Sequence, residues 1–455
     1  MLTIDLLERK TSADVPAEDM ISLNEIFKHI FKAKRTTVVT GAGISCNAGI
    51  PDFRSSDGLY NMVRTKFPKT VVKGQDLFDI SLFRNEMSLA VFCTFMEGLY
   101  KSTLVAKPTE THRFIKILKD KNKLLRCYTQ NIDSLESTIN LNMGINLSEF
   151  DTCHKNFVQN WKNLDVVQLH GNLHKLSCTN CFTNFDWNEK YQSQLAEGLN
   201  PQCSKCYEKY EERLYSGKRL TGNIGLLRPD IVLYGEHHPQ SEILAQGLNV
   251  DIRAKPDMLI VMGTSLKVDG VKKLVRSLSA SVHAKGGKVI FINKTPLAKQ
   301  WDSVFDYEIL SDCDSFVRLL KNEVPDLFLT QEQLDSKKLK NNKKSTKKVK
   351  VEVEVKEEVD VMTPPPTPTK KKRPVLKRKN INQQKAKPIK CELPSPLSSF
   401  TEPVEVNKQV VVKQEATQES ELQALRLYSS SKLNQSIKRR IKAEPEETLY
   451  KRIKV

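Results

Sequence analysis

Six short apolar runs, each followed at once by small or polar residues, constrain this chain more than any other feature. They are residues 36–40, 124–128, 166–169, 258–262, 288–292 and 307–310. Rich in Val, Ile and Leu and separated by helix-like segments, they predict strands of a parallel sheet covered on both faces. The residues that follow them are Gly41-Ala42-Gly43, Thr129-Gln130-Asn131, His170-Gly171, Gly263-Thr264-Ser265, Asn293 and Ser311-Asp312-Cys313. Ligands of open α/β sheets bind outside the carboxyl ends of the strands, near the switch in strand order. The pattern therefore predicts a nucleotide site before any family is considered.

The first of these loops is the most informative. A β-branched run, Thr36 to Thr40, breaks into Gly41-Ala42-Gly43-Ile44-Ser45, which lets the backbone turn tightly and come close to a ligand. Backbone amides and the start of a following helix are then expected to face a pyrophosphate. Gly41-Ala42-Gly43 alone also reads as a plain strand-to-helix turn, and the third fingerprint position is Cys46 rather than Gly. The continuation Gly49-Ile50-Pro51-Asp52-Phe53-Arg54 closely resembles the signature of the sirtuins, the NAD-dependent protein deacylases. Thr129-Gln130-Asn131-Ile132-Asp133, His170-Gly171, two Cys-x-x-Cys pairs, Tyr234-Gly235-Glu236, Gly263-Thr264-Ser265, Asn293 and Asp312-Cys313-Asp314 follow in the family's order, over about residues 20 to 325.

The resemblance implies a Rossmann-like parallel sheet domain with a smaller helical plus zinc-ribbon module, NAD as cofactor and acetylated histone as substrate. It divides the chain into an N-terminal extension (1–19), a catalytic domain (20–330) and a tail (331–455), with the small module drawn from about 54–123 and 172–228. The motif residues 172–228 carry a metal signal of their own. Cys178-x-x-Cys181 and Cys203-x-x-Cys206 stand 21 residues apart, a spacing suited to tetrahedral zinc with no open coordination position. A redox dithiol and a DNA-binding finger are the weaker readings.

A histidine at a strand end is more often structural than catalytic, but the place of His170 between nucleotide motifs and cysteine pairs favours a base that titrates near neutral pH. In the sirtuins the matching histidine activates a ribose hydroxyl. The resemblance further implies catalytic roles for Asn131, Asp133 and Arg54, a nicotinamide pocket of Asn131 and Asp133 with Ile50 and Phe53, and Gln130 on the ribose. Arg54 is expected to face the phosphates, and Ser45, Thr264, Ser265 and Asn293 to hold phosphate and ribose oxygens, with Cys313 at the adenine. Gly41, Ala42, Gly43, Ile44, Gly49, Pro51, Asp52, Tyr60, Thr129, Ile132, Gly263, Lys294 and Thr295 complete the expected cofactor shell. An extended peptide is expected between 232–236 and 266–270. His174 reads as a surface residue. Ser134 replaces the family's usual Gly, and Asp269-Gly270 its Pro-containing turn, which touches peptide selectivity. Tyr60 and Arg64 miss the Tyr-x-x-Arg spacing used for acidic acyl groups, which favours acetyl-lysine. The 228–239 and 266–270 phrases look most like the fungal nuclear branch acting on histone. Mono-ADP-ribosyl transfer and an inactive chromatin-binding module are the competing functions.

Charge is unevenly spread. The chain has 72 Lys+Arg against 54 Asp+Glu, a net +18, and residues 331–455 alone hold 30 against 16. The excess belongs to the tail, so chromatin or DNA is expected to bind weakly there and not on the domain. Tail composition predicts disorder. Residues 370–379 read as a nuclear localisation signal or a solvated charge run. Thr363 and Thr367, each before a proline, resemble a paired phosphodegron, which implies a cell-cycle kinase and a ubiquitin ligase as partners; a plain proline-rich linker is the alternative. No signal peptide core or membrane-length apolar run is read, and ten cysteines without a disulfide framework fit a reducing compartment, the nucleus by resemblance. Residues 21–33 are expected to be helical, capped by Ser22 and Glu25 with Ile26, Phe27, Ile30 and Phe31 on one face. Residues 141–163 read as a surface insertion, with Cys153-His154 outside any metal site.

Overall fold

The computed structural model describes residues 1–9, 12–56, 58–66, 74–146, 149–150, 156–219, 224–330 and 332–337. The tail beyond residue 337, with residues 370–379 and the paired threonines, and the Cys153-His154 pair lie outside the described residues. The first half of the chain forms β1 (Leu2–Asp5), α1 (Ala17–Lys32), β2 (Thr36–Thr40), α2 (Leu59–Lys66), α3 (Glu86–Val105), α4 (Glu110–Asp120), β3 (Leu124–Thr129), α5 (Phe157–Asn163) and β4 (Val166–Gln168). Then come β5 (Gly171–Cys178), β6 (Asn184–Asp186), α6 (Glu189–Ala196), α7 (Ser204–Tyr215), β7 (Leu227–Ile231), α8 (Ser241–Arg253) and β8 (Met258–Met262). The last elements are α9 (Asp269–His283), β9 (Lys288–Asn293), β10 (Tyr307–Leu310), α10 (Cys313–Glu323) and α11 (Pro325–Phe328).

Seven strands form one parallel sheet in the order β1-β10-β9-β8-β2-β3-β4. All six expected strands are in it. Their apolar runs are legible because both faces are covered: every residue of β2 and β8 is buried. The seventh, β1, comes from the segment read as an extension. It has four residues of which only Ile4 is buried, too little pattern to announce a strand. Beside the sheet lies a second, antiparallel one, β6-β5-β7, whose core includes Leu173, Leu176 and Leu227 with Leu59, Phe92 and Met96 from α2 and α3. Helix α4 falls inside the 54–123 span assigned to that smaller module, yet Phe114, Ile115 and Leu118 pack into the large core with Phe316 and Leu320 of α10.

Three local expectations need correction. Helix α1 begins at Ala17, directly after Pro16, so Ser22 and Glu25 sit within it and form no capping box. Phe31 lies off the buried Leu23-Ile26-Phe27-Ile30 stripe, 43% exposed, with the Lys123 ammonium 5.7 Å from its ring. And no α-helix follows β2: two 3-10 turns, Ala42–Ile44 and Cys46–Ala48, take its place.

The described parts of 141–163 are not a surface insertion. Leu141, Phe150, Phe157 and Trp161 are all buried, and the last three rings pack on one another at centroid distances of 5.9–6.2 Å. Trp161 reaches α8 at Gly247, where a Cβ would stand 2.2 Å from the indole. Its Nε1–H donates to Asp251, which also accepts two bonds from Arg126 (3.0 and 3.1 Å) and one from the Tyr128 hydroxyl (2.7 Å). The segment thus closes a buried ion pair over one face of β3.

Candidate active site

The strand order reverses between β2 and β8: β3 and β4 continue to one side, β9 and β10 to the other. The loops leaving these two strands face each other where such a sheet binds ligands. They are also locked together. Gly41 N–H donates to Met262 O (3.1 Å) and Gly43 N–H to Gly263 O (2.9 Å). A Cβ on Gly43 would lie 2.7 Å from Gly263 Cα, and Gly263 itself has φ +63°. These glycines are therefore required by loop-on-loop packing, a reason additional to the close ligand approach expected of them.

Beyond the lock, Ala42, Ser45, Ile50, Pro51, Phe53, Asn131, Ile132 and Asp133 line one small cavity. All eight are expected site residues, now brought together from two strand ends. Leu59, Leu99, Thr103 and Leu173 complete the wall and were not foreseen, because single residues on helices and on a strand, outside any motif, read only as core. The polar side is a chain of bonds. Ser45 donates its hydroxyl to Asp133 Oδ2 (2.7 Å), and Asn131 Nδ2 donates to Ser45 Oγ (3.0 Å). Asn131 Oδ1 is buried and has no protein partner. Ser45, expected on phosphate or ribose oxygens, thus directs its hydroxyl to the carboxylate.

His170 stands at the end of β4, half-buried. Its Nδ1 lies 3.0 Å from the backbone carbonyl of Gln130. A carbonyl only accepts, so Nδ1 carries the proton and Nε2 is left with its lone pair. Burial pushes the imidazole below its ordinary pKa, the Gln130 carbonyl offsetting part of this and His238 adding to it. The ring is neutral at pH 7 and ready to accept a proton at Nε2.

The four cysteines gather at one end of the small sheet, their sulfurs all within 4.8 Å of one another. Cys178–Cys206 and Cys181–Cys203 are separated by 3.8 and 3.6 Å. A tetrahedron with zinc–sulfur bonds of about 2.3 Å has edges of about 3.8 Å. Backbone amides of Asn180 and Cys181 point at Cys178 Sγ, and that of Cys206 at Cys203 Sγ, which suits thiolates. The donor set fits a structural zinc.

Residues 41–270 match the Sir2 family. The chain is 71% identical over 341 residues to "NAD-dependent histone deacetylase HST3" of Candida albicans, covering 74% of this chain and 69% of that one. It is 51% identical to the protein of the same name from Saccharomyces cerevisiae, over 72% of this chain and 73% of the other. Identity to "NAD-dependent protein deacetylase hst4" of Schizosaccharomyces pombe is 38%, over 66% and 69%.

The chain belongs to the Sir2 family.

In this Sir2 chain the remaining expected residues are placed less uniformly. Arg54 is exposed; its guanidinium donates to the Tyr234 hydroxyl (3.1 Å) and lies 5.5 Å from the Tyr60 ring centroid. Asp52 Oδ1 accepts from the amides of Arg54 and Ser55, fixing that turn. Gly49, at φ +86°, closes the turn Cys46–Ala48, and Ile44 O accepts from the Thr109 hydroxyl. The Gln130 amide donates to Thr264 Oγ1 (2.8 Å), and Thr129 Oγ1 accepts from Asn131 N–H. Ser265 and Thr295 are exposed; Asn293 donates to Thr295, and Lys294 pairs with Asp312 at 3.2 Å. The Cys313 side chain is buried, which leaves its backbone for any ligand.

One Sir2 expectation changes and another narrows. Tyr234 N–H donates to Phe78 O and its carbonyl accepts from Ile80 N–H, so a peptide along 232–236 would pair with the neighbours of Tyr234 and not with Tyr234 itself. His174 is not a surface residue: half-buried, it sits 3.0 Å from Asp133 O and 3.2 Å from Thr103 Oγ1, edge-on to Tyr100. Ser134 adopts φ +56°, which accounts for the glycine usual there in the family.

Proposed function

We propose that this chain is an NAD-dependent protein deacetylase acting on acetylated histone lysine in the nucleus, giving nicotinamide, O-acetyl-ADP-ribose and free lysine. The observations that carry this reading are a histidine of fixed tautomer bonded to Gln130, next in the chain to Asn131, and a pocket whose one unpartnered buried side-chain acceptor, among the residues lining it, is Asn131 Oδ1. The names of the histone deacetylases it resembles support the substrate class. An amide oxygen backed by a carboxylate matches the N–H groups of a carboxamide, so the donor set fits the nicotinamide end. When bound, NAD supplies a ribosyl carbon that accepts the acyl oxygen and a nicotinamide leaving group. Asn131 and Asp133 orient the carboxamide, Ile50, Phe53 and Leu99 exclude water, and His170 Nε2 takes the proton of a ribose hydroxyl. Arg54 serves the phosphates. Residues 20–330, completed at the sheet edge by β1 of the N-terminal segment, form the catalytic unit and 331–455 a regulatory tail.

Incubation of the full chain with NAD and an acetylated histone peptide tests this. Stoichiometric release of nicotinamide, O-acetyl-ADP-ribose and unmodified lysine is expected; labelled protein in place of these products would mean ADP-ribosyl transfer. For the tail, composition and the two Thr-Pro sites support nuclear import and phosphorylation-controlled turnover. A Thr363→Ala, Thr367→Ala double variant with an unchanged half-life through the cell cycle removes the second role.

A further inference from the structure

Behind the pocket wall, on the face of β3 opposite Asp251, three titratable groups from two segments meet. They are His112 of α4, Asp133 and Glu136, the last in the 3-10 turn Leu135–Ile139. One donor atom from each lies within 4.8 Å of the others, and all three residues are buried. Their partners are unequal. Asp133 accepts the Ser45 hydroxyl on Oδ2 and the Leu135 amide on Oδ1 (3.2 Å). Neither oxygen of Glu136 reaches a hydrogen-bond donor at normal geometry. His112 Nδ1 lies 3.2 Å from the Thr109 amide and 2.9 Å from the Thr109 hydroxyl, while its Nε2 has no partner.

Two carboxylates this close in a dry interior do not both ionise, and the charge settles on the one with donors. We propose that Glu136 is a positioning residue for the pocket: it is the protonated member of the carboxyl pair, and its neutrality keeps Asp133 as the single anion that orients Ser45 and, through it, Asn131. This rests on the reading of Asn131 and Asp133 as the carboxamide site. Burial pushes the Glu136 carboxyl up to about 8, with the charge of Asp133 adding to it and the nearby Thr129 hydroxyl and its own backbone amide working weakly against it. Cys127 of β3 also faces Glu136 and stays a thiol. His112 is held neutral by burial, against the pull of Asp133 and Asp314 and helped by Arg113. Among the described residues, no cation is placed to neutralise a second carboxylate there.

Above about pH 8 Glu136 ionises, and the paired negative charges compete for the donors that order the pocket. The test compares kcat/KM for NAD from neutral to alkaline pH in the full-length wild type and in Glu136→Gln, using an acetylated peptide. The wild type is expected to lose about tenfold per pH unit beyond that point. The variant is expected to stay within about threefold of wild type at neutral pH and to lack this limb. An unchanged alkaline limb in a folded variant, or a collapse of its neutral-pH activity, overturns the proposal. Infrared spectra of the unliganded wild type supply a second reading that needs neither activity nor the variant. A protonated-carboxyl stretch is expected at neutral pH and should vanish as the pH passes about 8. Its absence at neutral pH overturns the assignment of the proton. A wild type that shows the band but deacetylates nothing leaves the proton on Glu136 and removes the functional reading instead.

Discussion

Strand β3 carries a buried polar cluster on each face, and the two are built to opposite specifications. On one side Arg126 and Tyr128 meet Asp251 and Trp161; Asp251 accepts four hydrogen bonds, Arg126 also covers the indole at 5.1 Å, and the unpartnered atom is Arg126 Nη1. On the other side, around Asp133, Asn131 Oδ1, both Glu136 oxygens and His112 Nε2 lack protein partners. Buried polar atoms are ordinarily satisfied. The first cluster, whose Asp251 carboxylate is saturated, is a fastener between β3, α5 and α8. The unsaturated one keeps its capacity for a ligand and a proton, and its stability is correspondingly lower than the same residues could give.

That contrast can be broken by substitution. The largest effect is expected for Asp251→Ala, which leaves the Arg126 guanidinium buried without a counter-charge and should cost about 3–5 kcal/mol in denaturant unfolding. The folded fraction should bind NAD normally; a small stability loss would show that the saturated side is not a fastener. Next comes His170→Ala, with kcat down by about 10²–10⁴-fold, little change in unfolding and NAD binding kept. The same base sets an acid limb. Because burial lowers the His170 pKa, activity should fall as pH drops through a value below the usual 6.5 or so, and a limb centred higher would mean another group is the base. The smallest effect is expected for Ser45→Ala, which strands one bond each of Asp133 and Asn131 at about 1–3 kcal/mol. Its KM for NAD should rise more than its melting temperature falls; the reverse would make Ser45 a packing residue only.

The sheet was legible because Val and Ile runs buried on both faces leave a continuous signal, and the strand ends pointed to the site before any contact was known. The pocket's polar members came from motif resemblance, and the structure groups Ser45, Asn131 and Asp133 as one network. What stayed hidden has physical reasons. Residues 141–163 carried their own clue, Phe157 and Trp161 four apart on a helix face, but the segment's partner Asp251 lies 90 residues on. His112, three residues after Thr109, marks a capping box that is present, while the meeting of that histidine with Glu136 depends on how α4 packs under β3. Helix propensity gave no warning that α1 starts at Ala17, since Ser22 and Glu25 imitate a start signal in its interior.

Strand β1 has a consequence for how the chain is made. Thr3 bonds Glu308 across the sheet edge, 305 residues away. At about 5–20 residues per second, a ribosome delivers β10 roughly 15–60 s after β1. Until then Leu2–Asp5 has no neighbour, and the sheet is finished only when nearly all of the described chain has been synthesised. Such long-range closure makes folding slow, and the exposed edges of a growing parallel sheet make nascent chains clients for chaperones.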